Sequence, residues 1–469
     1  MITIYGVYFL IYLVICFFYA FYIVTNVKSK NKLVDFLVVF WLMTFQIYKT
    51  EYVWREFPRL GTFRKFDQFL AWFLLGILLL KFITNEKPLK KTKLLSYEKY
   101  FYLYILFSMF VLYLHQFLGN ISYSKAISSI LLYFAAGSFF FTLSKFMTRE
   151  LIQAIFKAIV FLGVITSIVS ILQFFVDTKL LRLAAYYMAF PGYNRSSGVL
   201  MWPYDNGMFL LLAIFVVAYT IKNFRIRVIL ISLFIFCIVL AFTRGIWIAL
   251  IAVSLIHGYI YYKVALRKLF IAIPIIAVLT IGIVGAYAIQ KDYFSGEAWT
   301  ERVFADTVTV RMSFYAFVLQ AIPGSWLIGY GDVENNEVYF KGMVGAKQGL
   351  AWSLGRRGGI HNVILQEAFL KGILSPLFYI IFFMKFFKFS YYQSIYKRSY
   401  FYCISSNYTM GYFFYVFSIG CYLLSRSGYL TILFLAMNSG VFHKNLNVTD
   451  ITTAIDDKNL PKLKLKKIE

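Results

Sequence analysis

The sequence predicts an all-α fold: a polytopic transmembrane helical bundle of about 12–13 spans with a large extracytoplasmic loop that carries short helices. Three observations predict it. The first is composition. Of 469 residues, 61% are hydrophobic and 14% charged, and the mean hydropathy is +0.71. A soluble domain carries roughly 25% charged residues and could not wrap this much apolar mass in water. The second is the form of the apolar runs. Stretches such as 228–242 and 269–289 do not alternate. Backbone in hydrocarbon must satisfy its polar groups internally, so these runs are helices, whereas barrel strands would alternate. The third is charge placement. The net charge of +26 lies mostly in short connections and in the tail, which is a topology signal and not a nucleic-acid footprint.

In chain order, the candidate spans are 3–25, 33–49, 67–84, 100–118, 126–143, 151–176, 205–221, 227–242, 246–262, 269–289, 361–386, 401–424 and 427–442. Met1 opens directly on an apolar stretch, without a charged leader or a small-residue cleavage site, so the first helix is expected to be retained. Every second connection is basic: Lys28, Lys30 and Lys32 follow the first span, Lys145 and Arg149 the fifth, and Lys222, Arg225 and Arg227 the seventh. These connections are expected to be cytoplasmic, which puts the N-terminus outside and the C-terminus inside. The connection 50–66 breaks the pattern, because it carries Arg55, Arg59, Arg64 and Lys65 on the expected outer side. The resulting organisation is N-terminal transmembrane helices over 1–289 (about ten spans), an extracytoplasmic loop over 290–360, C-terminal transmembrane helices over 361–442 and a disordered, basic cytoplasmic tail over 443–469. Within the long loop, apolar residues from Phe314 to Leu327 recur at helical spacing. They predict an amphipathic helix on the membrane or capping the bundle.

No soluble-enzyme signature is present: there is no P-loop and no dinucleotide-binding glycine motif. Cys16, Cys237, Cys403 and Cys421 lie in or beside apolar runs without paired spacing, so neither a metal site nor a disulfide framework is expected. The chemistry-bearing residues are polar groups at span ends on the expected outer side. Arg195, in Asn194-Arg195-Ser196-Ser197-Gly198, precedes Trp202-Pro203-Tyr204-Asp205-Asn206. It suits an anionic group, or it is an interfacial anchor. Arg244 stands between two apolar runs with almost no loop between them. A cation bracketed by hydrocarbon is costly unless paired, and its fork suits a phosphate or pyrophosphate; the alternative is a simple turn arginine. His361-Asn362 begins a span after Arg356 and Arg357, so His361 is a candidate general base, the alternative being a helix-capping pair. Glu367, farther along, is expected to orient His361 or to pair an arginine. Arg311 opens the amphipathic stretch, and Gly329-Tyr330-Gly331 predicts a tight turn at its end. Arg426 is a lesser candidate, and His115 and His257 lie within apolar spans.

Taken in order, these motifs resemble the O-antigen ligase and O-antigen polymerase superfamily of bacterial envelope glycosyltransferases. The pieces are Arg195 through Gly198 followed by Pro203 and Asn206, Thr243-Arg244-Gly245, Arg311 through Tyr315 followed by Gly329-Tyr330-Gly331, and His361-Asn362. They cover roughly residues 190–390. The Pro-Tyr-Asp-Asn stretch departs from the plain Pro-Asn of the family. The resemblance implies a cell (cytoplasmic/inner) membrane protein whose active face is extracytoplasmic. It further implies metal-independent transfer of glycan from an undecaprenyl-pyrophosphate-linked donor to an acceptor hydroxyl, without a cofactor. Carried over by motif, His361 and Arg244 would be catalytic, and Arg195, Arg311, Asn362 and Asn206 would bind substrate. The implied partners are the lipid-linked glycan, membrane lipid, a flippase and a chain-length regulator, with no nucleic acid. The Lys-, Tyr- and Phe-rich, proline-poor composition suggests an AT-rich genome and tilts the expectation to a polymerase of repeat units over a ligase to lipid A core or protein. The rival of another class is a transporter or flippase of such glycans, which would use broken helices and polar residues near the midplane.

Overall fold

The computed structural model describes residues 4–29, 31–44, 66–84, 93–177, 180–181, 188–190, 193–200, 202–260, 272–280, 282, 315–316, 318–331, 362–396, 399–416 and 426–448. The basic connection 50–65, Arg311, His361 and the tail beyond residue 448 lie outside the described residues, as does most of 290–360.

The described chain is helical apart from one two-stranded hairpin. Its helices are α1 (Ile4–Asn26), α2 (Lys32–Thr44), α3 (Phe66–Ile83), α4 (Ser96–Phe117), α5 (Tyr123–Phe146) and α6 (Arg149–Phe175), then α7 (Pro203–Thr220), α8 (Phe224–Leu240), α9 (Arg244–Ile260), α10 (Val363–Lys371), α11 (Leu374–Tyr396), α12 (Tyr400–Val416) and α13 (Arg426–His443). A further helical stretch covers 272–280. Each expected span overlaps a helix. Among the described residues six helices are long and apolar enough to cross a bilayer, and two more apolar helices are shorter. The bundle is therefore an integral membrane protein. Its outward-facing side chains are large and apolar, as at Phe18, Phe21 and Tyr22 of α1, a surface that suits lipid and not water.

Local sequence explains the ends. Thr148 caps α6 by accepting from Leu151 N at 3.1 Å, and Asn223 caps α8 by accepting from Arg225 N at 3.0 Å. Pro203 opens α7, where its missing N–H costs nothing. Helix α7 is hydrophobic almost all round and buried almost all round, so it is the central post. Helices α6, α8 and α12 pack around it; α4 pairs with α11, and α5 with α3 and α13. One set of buried polar groups is paired across helices. Asn407 donates to Nδ1 of His257 at 2.7 Å, so the ring's Nε2–H donates to Tyr219 at 2.6 Å, joining α12, α9 and α7.

Two ends of the bundle are identified by contacts between distant segments. At one end, Glu98 of α4 accepts from Ser439 at 2.6 Å and lies 3.0 Å from His443 of α13. Lys444 donates there to the carbonyls of Lys145 (2.6 Å) and Met147 (2.8 Å), between α5 and α6. At the opposite end, His115 near the end of α4 meets the loop segment 326–331.

One expectation is corrected. The candidate span 361–386 is not continuous: it breaks at Gly372, between α10 and α11. The break is built from backbone geometry that only glycine tolerates, φ +79° and ψ 172°. Pro376, two residues into α11, has no N–H to bridge back across it. A Cβ at Gly372 would collide with the Leu327 carbonyl.

Gly372→Ala should lower the thermal midpoint in detergent, by backbone strain of about 1–3 kcal/mol together with the collision. Gly76→Ala in α3, where a Cβ meets open space, should leave the midpoint unchanged or raise it. At the other end, burial, with Lys145 and Lys81 nearby, pulls the Lys444 ammonium from 10.5 down to about 8. Between those values the unfolded chain holds a proton that the folded chain has released, so stability rises with pH across that window. Lys444→Met should abolish that rise in a pH series of thermal midpoints.

Candidate functional site

The described site residues, Arg195, Asn206, Arg244 and Asn362, fall where the chain stops being helical at the end of the bundle that holds His115. After α6 come β1 (Met188–Phe190) and β2 (Tyr193–Asn194), an antiparallel pair, and then a loop in which residues 196–200 are buried. Non-helical backbone inside a membrane protein needs partners for each N–H and C=O. Helix α6 supplies them. Oε1 of Gln173 accepts from Ser197 N at 2.9 Å and Gly198 N at 3.0 Å, while its Nε2 donates to Gly198 O at 2.8 Å and Leu180 O at 2.7 Å. The Thr166 hydroxyl accepts from Val199 N at 3.1 Å and donates to Oδ1 of Asn206 at 3.0 Å. The Asn206 amide donates to Ser170 at 3.0 Å. Gly198 has φ +60°, and a Cβ there would strike the Thr166 hydroxyl. The structure thus places Asn206 wholly inside this brace, with both ends of its amide engaged by α6.

The same loop reaches the next interruption. Ser196 N donates to the carbonyl of Leu240, the last residue of α8, at 3.2 Å. There the chain turns through 241–243, with Phe242 at φ +47°, and restarts as α9 with Arg244 as its first residue. The turn is held by the Trp247 indole, which donates to Ile238 O at 3.1 Å, and by Phe242 stacked on Phe174 of α6. The first turn of α9 holds no acidic residue. A cation at a helix N-terminus opposes the helix dipole, so Arg244 does not stabilise its own helix. It adds a charged fork to backbone N–H groups that already favour an anion. Arg195 and Arg244, both half-buried, therefore sit in one hydrogen-bonded corner.

The third interruption is α10. Asn362 is its N-cap, accepting from Leu365 N at 3.1 Å, so one end of its amide is committed to the helix. The C-terminal carbonyls of α10 are taken by the long loop. Tyr330 N donates to Phe369 O at 2.8 Å, Gly331 N to Leu370 O at 3.0 Å, and across the break Ile373 N donates to Trp326 O at 2.8 Å. The turn at Gly329-Tyr330-Gly331 was expected; its job is to cap a broken helix. The amphipathic stretch ahead of it is helical at 318–321 and packs Val318 against Phe369 of α10. His115 is the latch: Asn120 donates to its Nδ1 at 3.0 Å, and its Nε2–H donates to Ile328 O at 2.8 Å. Glu367 corrects its expectation. It accepts from Lys371 at 2.7 and 2.9 Å and from Ser375 at 2.6 Å, so it pairs a lysine and a serine of its own broken helix.

Reading by span ends passed over three residues. Thr166, Ser170 and Gln173 fall at helical spacing on one face of α6, a polar stripe in an apolar run that signals buried backbone to be satisfied. Lys371 beside Gly372, with Pro376 following, signals the broken helix. Among the described residues no group of three or more His, Cys, Asp or Glu gathers in metal-ligand fashion.

Residues 228–380 match the family model described as O-antigen ligase. The matched segment runs from α8 through α9, the long loop and α10 into α11, so it contains Arg244, Arg311, His361 and Asn362, while Arg195 and Asn206 precede it. No curated protein matches the chain.

The brace gives a direct test. Gln173→Leu strips partners from Ser197 N, Gly198 N and Gly198 O, at a cost on the order of 1–3 kcal/mol for each buried group left unpaired. In a Ser196→Cys, Cys421→Ser background, maleimide labelling of residue 196 should be slow with Gln173 present and fast after Gln173→Leu.

Proposed function

We propose, from the similarity of residues 228–380 to the family model described as O-antigen ligase, that this chain is a membrane glycosyltransferase that polymerises the repeat units of a cell-surface polysaccharide on the extracytoplasmic face of the cell membrane. The donor is a glycan on undecaprenyl pyrophosphate. The acceptor is a hydroxyl of another lipid-linked glycan. The observation that carries this reading is the coincidence of the family segment with the helix interruptions that hold Arg244 and Asn362.

In this reading the acceptor oxygen attacks the anomeric carbon of the donor as the bond from that carbon to the pyrophosphate oxygen breaks. His361 takes the hydroxyl proton. Arg244 and Arg311, helped by Arg195, stabilise the negative charge that grows on the leaving pyrophosphate. The half-buried Arg244 serves this role better than an exposed cation, because its charge is less screened by water. Asn206 acts through the loop that carries Arg195, and Asn362 through the helix that follows His361. A flippase and a chain-length regulator supply substrate and set product length. Transfer of a finished glycan to lipid A core or to protein is the sister reading within the same family.

The broken helix α10–α11 favours one reading of another class, since transporters of lipid-linked glycans also break helices around a site. One experiment separates all three. Purified protein given lipid-linked repeat units should yield a ladder of products, and His361→Ala or Arg244→Ala should cut the rate at least about 100-fold. A single transfer to lipid A core and no ladder would mark a ligase. Unchanged chain length in the variants, with lipid-linked units accumulating inside cells, would mark a transporter.

A further inference from the structure

The ion pair of Glu367 and Lys371 is fully enclosed. Glu367 is 0% exposed and Lys371 5%. Besides Glu367, Lys371 donates to the hydroxyl of Tyr133 on α5, with its ammonium 4.6 Å from that ring's centre and 5.7 Å from the ring of Tyr104 on α4. Glu367 also takes the hydroxyl of Ser375, which lies beyond the break on α11. Two side chains of one nine-residue helix are thus pinned to α5 and α11, while its C-terminal carbonyls are held by 330–331.

Stability does not account for this arrangement. Burying two charges costs several kcal/mol per ion before their attraction offsets it, and apolar replacements of similar volume are often neutral or better. What an apolar pair lacks is direction. Helix α10 has two and a half turns, and its buried apolar residues Val363, Ala368 and Phe369 point to different sides of it, so it has no continuous apolar ridge to fix its rotation about its own axis. At a side-chain radius of about 6 Å, a rotation of about 10° moves an atom by about 1 Å. A misplacement of that size costs about 100-fold in rate at a reacting centre.

We propose that Glu367 and Lys371 are positioning residues: the pair sets the rotation of α10, and through it the acceptor-activating end of that helix at Asn362 and the adjoining His361. This rests on the glycosyltransferase reading above. It assigns the buried pair to the acceptor half of the reaction, not to pyrophosphate binding.

The test is the double variant Glu367→Leu/Lys371→Met, which removes both charges and leaves none uncompensated. Expected are a folded protein, an unchanged donor KM and a pH profile of unchanged shape, with kcat down about 10–100-fold. Lys371→Arg, which keeps the charge, should recover much of the rate. Full kcat in the folded double variant overturns the proposal, as does a loss confined to donor KM. If the double variant does not fold, Glu367→Asp takes its place: it keeps the charge but shortens the arm, and wild-type kcat in it likewise overturns the proposal. Wild-type protein without transfer activity on lipid-linked donors sinks the reading beneath and this proposal with it. An active wild type with an equally active double variant sinks the positioning role alone.

Discussion

The constraint on which this structure depends is that backbone leaving a helix inside a membrane protein must find hydrogen-bond partners there. The chain leaves its helices at three places near one end of the bundle, and each has its own solution. The loop at 195–200 is satisfied by side chains of α6, chiefly Gln173 and Thr166. The turn at 241–243 is satisfied by its own helix end and by the Trp247 indole. The break at Gly372 is satisfied by backbone donors from 330–331 and the carbonyl of Trp326. Among the described candidates, Arg195, Arg244 and Asn362 sit at or beside these interruptions.

The three solutions differ in what they are tied to. The first two are tied to α6 and α8, helices of the bundle. The third depends on a loop segment that is latched by His115 and packed through Val318 and Phe369. Glu367 and Lys371 add pins from α10 to its neighbours on the other side. The short helix is therefore held through its C-terminal half by a loop on one hand and by the bundle on the other.

Much of this was legible from residues alone, for physical reasons. Hydrocarbon length sets the spans, so each expected span met a helix. A cation bracketed by hydrocarbon is expensive unless paired, so Arg244 stands out in the sequence, and Arg195 stands out as a cation just ahead of a span. Asn206 and Glu367 were legible as polar groups in an apolar setting, but their partners were not. The partners of Asn206 are Thr166 and Ser170, about 40 positions upstream; those of Glu367 are four and eight positions downstream, across a break that a hydropathy reading runs through. The signal for that break, Gly372 with Pro376, is two residues in a run otherwise apolar enough to span. His115 was legible only as a histidine in a helix, because its partner Ile328 contributes a carbonyl, and carbonyls carry no sequence signature.

The shortness of α10 bears on how the protein is made. At about 1.5 Å per residue its nine residues extend about 14 Å, less than half of a hydrocarbon core about 30 Å thick. During synthesis it cannot be inserted as a span of its own. Its capping donors at Tyr330 and Gly331 leave the ribosome first and must reach their own side of the membrane before they can fold back onto Phe369 and Leu370. Seating α10 is consequently a late step of biogenesis, taken after α11 has entered the bilayer and after 330–331 has reached the side on which it caps the helix.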